Sequence, residues 1–528
     1  MLRRIALSKL PQRVAQSFYA PVNLHLCQLR AMHITGEKMS YAANQQTLMV
    51  TRMLEEFLVS SEVHESQRGG LTRPPKISEP EIIELCSHYK HLEKDAKMEF
   101  LQAIGQKCGV DHNAVLRICK NMKQQQEKGD GALLQAEAKL HQSLIPHYSL
   151  LFQQVSRTFD GVKFLMDLRA DIMELLQDSP RNDHYLRALN QTLKEMLSHW
   201  FCAGLLNMQQ ITWQSSCDML QKISEYEAVV PVRSWLDLKQ RVGPYRRCFV
   251  FTHSAMPTEP IIVLHSALMK DIPNNLQEII GNRLGKMGDE IEPTQQQEEL
   301  DNTQAAIFYS ISSTQAGLKG VDLGNYLIKS VVQRLQRDFP HLTVFSSMSP
   351  IPGFKDWLTQ EIAKHLRGSH MVYPLLTKKE LETLHELAGK PSELPLQTLK
   401  RLLVTSHWLH SDKLVEFLKE PMMRLCARYL YAEKHRGHAL DPVANFHLHN
   451  GAVMWRMNWL ADTSPRGMTQ SCGIMCNFRY FLDTTIQNSR MYTENRHIEA
   501  SEQVLDLVAK SGMPVTGNAP GVSKKSNL

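Results

Sequence analysis

Three glycines, Gly317, Gly320 and Gly324, punctuate a loop from Ser313 to Gly324 (STQAGLKGVDLG), with Lys319 among them. An apolar run, Ala305 to Ser312 (AAIFYSIS), precedes the loop. An amphipathic stretch, Asn325 to Phe339, follows it, with Leu327, Ile328, Val331, Val332 and Leu335 on one face. Strand, glycine loop and helix in that order form an anion trap. Glycine lets backbone approach a ligand closely, and the first helical turn offers free N–H groups and partial positive charge. A pyrophosphate matches both. The spacing is not the dinucleotide fingerprint Gly-x-Gly-x-x-Gly, and a plain surface turn would satisfy it as well. Gly281 to Lys286 (GNRLGK) is not a P-loop, being one residue short with no Ser or Thr after the lysine.

Other reactive side chains are ambiguous on their own. Ser349 lies just beyond a strand-like Val344-Phe345-Ser346, and Pro350 and Pro352 restrict the backbone around it. A hydroxyl held this way can donate to an anion, or simply cap a turn. His447 is one of 23 histidines; its side chain suits general-acid work near neutral pH, or a structural role in a core. His435, His438, His447 and His449 invite a metal reading, but no carboxylate or Cys completes a recognisable set, so no metal site is expected. Arg246, Arg247 and Lys222 can meet phosphates or form a solvated basic face. The ten cysteines are scattered without a Cys-x-x-Cys pair, which argues for reduced thiols and against zinc. Cys217, in a Trp-Gln-Ser-Ser-Cys loop, is a candidate for an interchain disulfide, with a reduced thiol as the default.

The elements that must position these groups fall into two regions. Residues 45 to about 201 read as helices: the apolar positions Phe164, Leu165, Leu168, Ile172, Leu175 and Leu176 have helical spacing. Similar patterns run through Ile82 to Leu101, Leu133 to Phe152 and Tyr185 to Leu206. Arg247 to Thr252 and Pro260 to Met269 then read as neighbouring strands. The chain turns helical again from Lys355 to Leu430, and Ala452 to Trp459 is strand-like.

The whole chain has 528 residues, 43% hydrophobic and 22% charged, with a net charge of +6. That is an ordinary globular balance with room for two or three domains. No apolar run approaches the roughly 18–20 residues of a membrane span, and the charge is too dilute for a nucleic-acid binder. Five basic residues, Arg3, Arg4, Lys9, Arg13 and Arg30, precede the first acid, Glu37. Such a start reads as a mitochondrial transit peptide, handled by import receptors; Met39 would offer a second start without it. The terminal Ser526-Asn527-Leu528 is a variant of the peroxisomal Ser-Lys-Leu address.

A resemblance becomes specific at FYSIS (Phe308 to Ser312), GVDLG (Gly320 to Gly324), FSSMSPIPGF (Phe345 to Phe354), EKHRGHALDPVANFHLHNGAVMWRMNW (Glu433 to Trp459) and NFRYFL (Asn477 to Leu482). Together with GPYRRC (Gly243 to Cys248) and LQAEAKL (Leu134 to Leu140), these resemble the malonyl-CoA decarboxylases from about residue 80 to about 510. The resemblance implies an α+β chain: an all-α helical-bundle N-terminal domain at 41–201, for self-association as dimer or tetramer, then a GNAT-like mixed α/β catalytic domain at 202–510. Residues 1–40 would be a disordered transit peptide and 511–528 a disordered tail. It implies conversion of malonyl-CoA to acetyl-CoA and CO2 without metal, biotin or redox cofactor, the coenzyme being part of the substrate. It implies that Ser349 and His447 are the catalytic pair, with Tyr480 and Asp322 close by. The family's acid at 322 is commonly Glu; Asp322 shortens the reach and keeps the charge. Lys319, Gly320, Val321, Asp322, Leu323, Gly324 and Asn325 would hold the coenzyme with Ser349 and His447, and Lys222 would be accessory. The mitochondrial matrix is the expected compartment, with peroxisome and cytoplasm as further ones. The competing readings are a coenzyme-A-dependent acyltransferase, which the same fold permits, and a non-catalytic acyl-CoA-binding scaffold.

Overall fold

The computed structural model describes residues 78–178, 183–281, 303–321, 326–368 and 373–514. The expected transit peptide, the terminal tripeptide, residues 282–286 of the GNRLGK stretch and Asp322, Leu323, Gly324 and Asn325 lie outside the described residues. The chain divides into two compact units, Met1–Thr192 and Leu193–Leu528.

The described part of the first unit is helical: α1 (Glu79–Lys90), α2 (Lys94–Lys107), α3 (His112–Gln126), α4 (Asp130–Ser143), α5 (His147–Val155), α6 (Gly161–Asp178) and α7 (His184–Trp200), the last running on into the second unit. Ser78 and Glu81 form a capping box at α1, and Asp111 accepts the Asn113 and Ala114 N–H groups at α3. The helical spacing of α6 becomes a core face of Phe164, Leu165, Leu168, Ile172 and Leu175. Two apolar patterns that read as single stretches are each split. Ile82 to Leu101 breaks after Lys90, and Leu133 to Phe152 breaks at Pro146, which disfavours helix in the residue before it. Helix α3 buries no residue and α4 only Ala136, so this hairpin leaves Leu116 and Leu134 exposed.

The second unit is built on one mixed sheet: β1 (Leu206–Ile211), β2 (Arg246–His253), β3 (Ile262–Met269), β4 (Ala305–Ser313), β5 (Val344–Ser347), β6 (Ser349–Pro350), β9 (Val453–Asn458) and β10 (Met475–Tyr480). A separate hairpin pairs β7 (Lys434–His435) with β8 (His438–Ala439). Strands β1 to β4 run antiparallel in chain order. Edge strand β1 lacks a strand signal in the sequence because its middle carries the polar Asn207, Gln209 and Gln210. Strands β2, β3 and β4 are buried almost throughout, which explains their continuous apolar runs.

Strand β4 then pairs in parallel with β5, Ala305 opposite Val344 through Phe308 opposite Ser347. The connection between them contains α11 (Tyr326–Asp338), whose Leu327, Ile328, Val331, Val332 and Leu335 are buried, as its spacing predicts. This is the strand–loop–helix unit expected of a GNAT-like domain. Helices α8 (Cys217–Tyr226), α9 (Trp235–Arg241) and α10 (Leu276–Ile280) join the early strands. Helices α12 (Phe354–Leu366), α13 (Lys378–Ala388), α14 (Pro395–Thr405) and α15 (Asp412–Tyr431) form the later helical run. Three short helices and a terminal one, α16 (Pro442–His449), α17 (Pro465–Ser471), α18 (Thr485–Asn495) and α19 (Glu502–Lys510), surround β9 and β10.

Two features of the sheet matter for chemistry. First, β10 pairs with β5 at Arg479–Ser346 and with β6 at Cys476–Ser349 in one register, so the ladder with β10 is interrupted at Ser347 and Met348. Second, α16 stops at Gly451, whose φ of +78° favours glycine and whose N–H bonds the Leu448 carbonyl. A Cβ at Gly451 would sit 1.9 Å from the Thr485 carbonyl oxygen. We expect Gly451→Ala to destabilise the protein by more than the ~1–2 kcal/mol of left-handed strain alone, read as a lowered midpoint in denaturant unfolding.

Candidate active site

Ser347 and Ser349, two residues apart, share one face across the gap in the β10 ladder. At the break, the Ser347 side chain replaces the missing ladder bonds. The Phe478 N–H donates to Ser347 Oγ at 3.2 Å, and Asn477 Nδ2 donates to the Ser347 carbonyl at 2.8 Å. Asn477 is held in turn by Asn458 Nδ2 at 2.8 Å and Arg456 Nε at 3.2 Å. Ser349 is 4% exposed, and its Oγ donates to Ser347 Oγ at 2.7 Å.

His447 comes from the last turn of α16, 98 residues further along the chain, and its Nε2 lies 2.8 Å from Ser349 Oγ. Its ring stacks on Phe478 with centroids 4.6 Å apart, and its Nδ1 lies 2.7 Å from the Tyr480 hydroxyl. Phe308 packs edge-on against Tyr480. A serine has one proton to give. With that proton on Ser347, His447 presents Nε2–H to Ser349, and Nδ1 accepts from Tyr480. Serine, imidazole and phenol thus form a single hydrogen-bonded chain from β6 through α16 to β10.

Burial pushes the His447 imidazole down to about 3, so it is neutral at physiological pH. Burial likewise pushes the Tyr480 phenol well above its ordinary range, so it stays protonated and able to donate. These two shifts fit the hydrogen-bond directions: an uncharged imidazole needs one donor and one acceptor, and it has both.

A cavity of about 240 Å3 opens beside this chain, bounded by Ser349, His447, Phe308, Met348, Val443 and Phe446. That is below the roughly 300–1,000 Å3 of pockets that enclose a drug-sized molecule, so it takes the tip of a ligand rather than all of it. No Lys or Arg is among the described residues that line it. Residues Phe308 to Ser313 of β4 run along the cavity and lead into the turn that holds Gly317, Lys319, Gly320 and Val321. Gly320 has a φ of +75°, and a Cβ there would lie 3.9 Å from Lys194 Nζ of α7.

Lys222, read as an accessory residue, lies outside the cavity lining. Its ammonium pairs with Glu259 at 2.9 Å and Asp218 at 3.0 Å and donates to the Thr258 carbonyl, so it is committed to a local ion pair and does not line the cavity. Arg246 donates to the Ile279 carbonyl, and Arg247 lies over the Phe339 ring. Cys217 is exposed as the first residue of α8. Among the described residues no three His, Cys, Asp or Glu converge as a metal set; His438 and His449 stack on each other.

Family comparisons cover most of the chain. Residues 108–201 match the malonyl-CoA decarboxylase N-terminal domain, and residues 204–516 match the malonyl-CoA decarboxylase C-terminal domain. The chain belongs to the malonyl-CoA decarboxylase family. It is 46% identical over 443 residues to the mitochondrial malonyl-CoA decarboxylase of Anser anser anser, covering 83% of this chain and 85% of that one. It is 46% identical over 442 residues to that of Rattus norvegicus, covering 83% and 87%. Crystal structures of malonyl-CoA decarboxylase from Rhodopseudomonas palustris and Agrobacterium vitis superpose with TM-scores of 0.70 and 0.69, at 29% and 27% identity. Each superposition covers 86% of this chain and 99% of the other.

Within that family frame, the sequence reading passed over Ser347, Asn477 and Lys194. Ser347 and Asn477 sit inside the quoted motifs, but only the strand pairing shows that they support Ser349. Nothing local marks Lys194, which meets the glycine turn across more than a hundred residues. We expect Tyr480→Phe, which leaves Nδ1 of a buried imidazole without its donor, to cost about 1–3 kcal/mol of stability and to lower turnover. Nitrogen chemical shifts of His447 would report the tautomer change.

The imidazole also has a pH signature. Its folded pKa, about 3, lies below the unfolded value near 6.5. The unfolded chain therefore binds a proton that the folded one refuses, and this contribution to stability is lost as pH falls from about 6.5 toward 3. His447→Asn should flatten that part of the stability profile, measured by denaturant unfolding at stepped pH.

Proposed function

We propose that the chain decarboxylates malonyl-CoA to acetyl-CoA and CO2, with the acyl tip in the cavity beside Ser349 and His447. The observation that carries this reading is the buried Ser349–His447–Tyr480 chain at the wall of a cavity with an apolar lining.

Loss of CO2 moves a full negative charge from the carboxylate to the thioester enolate. An apolar wall desolvates the compact carboxylate, and two polar groups, Ser349 and His447, are placed to meet the charge where it develops. In the free protein His447 is neutral because nothing anionic offsets its burial. The malonyl carboxylate brings that counter-charge, which favours the imidazolium. As CO2 leaves, the imidazolium supplies the proton that carbon needs, through Nε2 directly or through the Ser349 hydroxyl. It returns to the neutral form and is reprotonated from solvent. Tyr480 serves both states: its hydroxyl donates to Nδ1 of the neutral ring and accepts from Nδ1–H of the charged one. The reaction takes up one proton and requires no acceptor. In this reading the protein's own groups are sufficient, with no metal or organic cofactor.

Lys319, Gly320 and Val321, together with Asp322 to Asn325, would hold the coenzyme moiety at the end of β4, and Asp322 stays the candidate catalytic acid that the family resemblance implies. The helical region 41–201 would drive homo-oligomerisation, a reading supported by the exposed Leu116 and Leu134 of the α3–α4 hairpin. The exposure of Cys217 is compatible with an interchain disulfide. Mitochondrial residence is supported by the names of the relatives and by the basic N-terminal stretch; peroxisomal and cytoplasmic pools rest on sequence alone. No described helix is long and apolar enough to cross a membrane.

Incubation of purified protein with malonyl-CoA should yield CO2 and acetyl-CoA with no acceptor present. Dependence on an added amine or alcohol would instead indicate an acyltransferase, and binding without turnover a scaffold. Ser349→Ala and His447→Asn should each lower kcat by about 10²-fold or more, with coenzyme A affinity by calorimetry little changed.

A further inference from the structure

We propose that Asp441 is the positioning residue that holds Ser349 and His447 at hydrogen-bonding distance, by tying the helix that carries the histidine to the loop that carries the serine. The inference rests on the reading of Ser349 and His447 as the reacting pair.

Asp441 is fully buried, and its carboxylate gathers donors from three segments. Oδ1 accepts the N–H groups of Val443 at 3.0 Å and Ala444 at 2.8 Å, capping α16 six residues before His447. The backbone N–H of Gly353, four residues past Ser349, also faces the carboxylate. Oδ2 accepts from the Tyr429 hydroxyl of α15 at 3.4 Å. Tyr429 closes the arrangement from the far side. A Cβ at Gly353 would lie 2.3 Å from its hydroxyl, and its ring packs on Phe354 and Trp357 in the first turn of α12. The Ser349–Gly353 loop is therefore held between the carboxylate and this aromatic wall.

A helix cap by itself needs one acceptor oxygen and no burial. Other caps in this chain, such as Ser78 and Thr377, are exposed. Asp441 has a second oxygen turned away from the helix it caps. Its partners are hydrogen-bond donors rather than cations, and burial pushes the acid up to about 6 in spite of them. The described neighbours that face it are Tyr429 and Cys426 of α15 and Cys476 of β10, all held protonated by burial. A costly buried carboxylate is thus kept where it spans the two catalytic segments.

Asp441→Asn separates cap from tether. Asparagine caps a helix as well as aspartate does, so Oδ1 can still take the Val443 and Ala444 N–H groups. The amide nitrogen that replaces Oδ2 cannot accept from Tyr429 and can only donate to that hydroxyl, which reverses the bond on which the tether depends. The expected result is a fall in kcat for malonyl-CoA of about tenfold or more, with KM within about twofold of wild type and the unfolding midpoint nearly unchanged. A kcat within twofold of wild type would overturn the proposal, as would a rate loss that only tracks the loss of folded protein by circular dichroism. If the Asn variant does not fold, Gly353→Ala probes the same contact from the loop; wild-type kcat there would equally overturn it. Ser349→Ala and His447→Asn run alongside: wild-type turnover in those two would sink the reacting pair itself, whereas inactivity there with normal Asp441→Asn turnover would sink the positioning role alone.

Discussion

An imidazole buried with no charged partner can only be neutral, and it must then have one donor and one acceptor in fixed places. His447 meets that condition between Ser349 and Tyr480, and much of the second unit's architecture serves it. A carboxylate in the place of Tyr480 would favour the charged ring before any substrate arrives. A phenol leaves it neutral at rest and can reverse its hydrogen bond when the ring gains a proton. In the proposed reaction the substrate itself decides which state is populated, because its carboxylate brings the counter-charge that the resting ring lacks.

The sheet supplies the fixed places. Ser349 and Tyr480 lie on strands that pair with each other, so their separation is set by backbone ladders rather than by flexible side chains. The interruption at Ser347 and Met348 is where that ladder gives way to function. A regular strand would alternate its side chains between two faces. Here the Ser347 hydroxyl takes over a main-chain bond and accepts from Ser349 as well. The two serines are one unit: the first fills the gap in the ladder and holds the hydroxyl of the second.

Sequence patterning made the layers legible wherever apolar periodicity was strong. The α6 and α11 faces and the β2 to β4 runs are continuous and buried, and burial is what periodicity records. It failed where tertiary context overrides local signal. Edge strand β1 carries a polar middle, and two helix pairs blur into single patterns because a short break does not interrupt their spacing. At the candidate site, Ser349 and His447 were reached through motif resemblance, since each alone reads as an ordinary turn serine or one histidine among many. Asp441 did carry a local signal, an Asp-Pro pair opening the helix that ends in His447. Its second set of contacts, to Gly353 and Tyr429, lies far away in sequence and is written in no local pattern.

The two ends of the proposed substrate site share one strand, and this constrains what can bind. Phe308 to Ser313 spans five residue steps, or about 17 Å at a strand rise of ~3.3 Å. The Phe308 end of the cavity is therefore set back from the glycine turn that follows β4, while its Ser313 end meets that turn. A free malonate would fill the cavity and leave the turn empty; a nucleotide would do the reverse. Only a ligand with an anionic head, a long thin arm and a small acyl tip uses both at once. Binding at the turn can then offset the cost of driving a carboxylate into an apolar cavity, which the acyl group could not meet from its own few contacts. The separation between the turn and Ser349 is thus part of the chemistry: it lets remote contacts pull the reacting group into surroundings where its charge is better spread than kept.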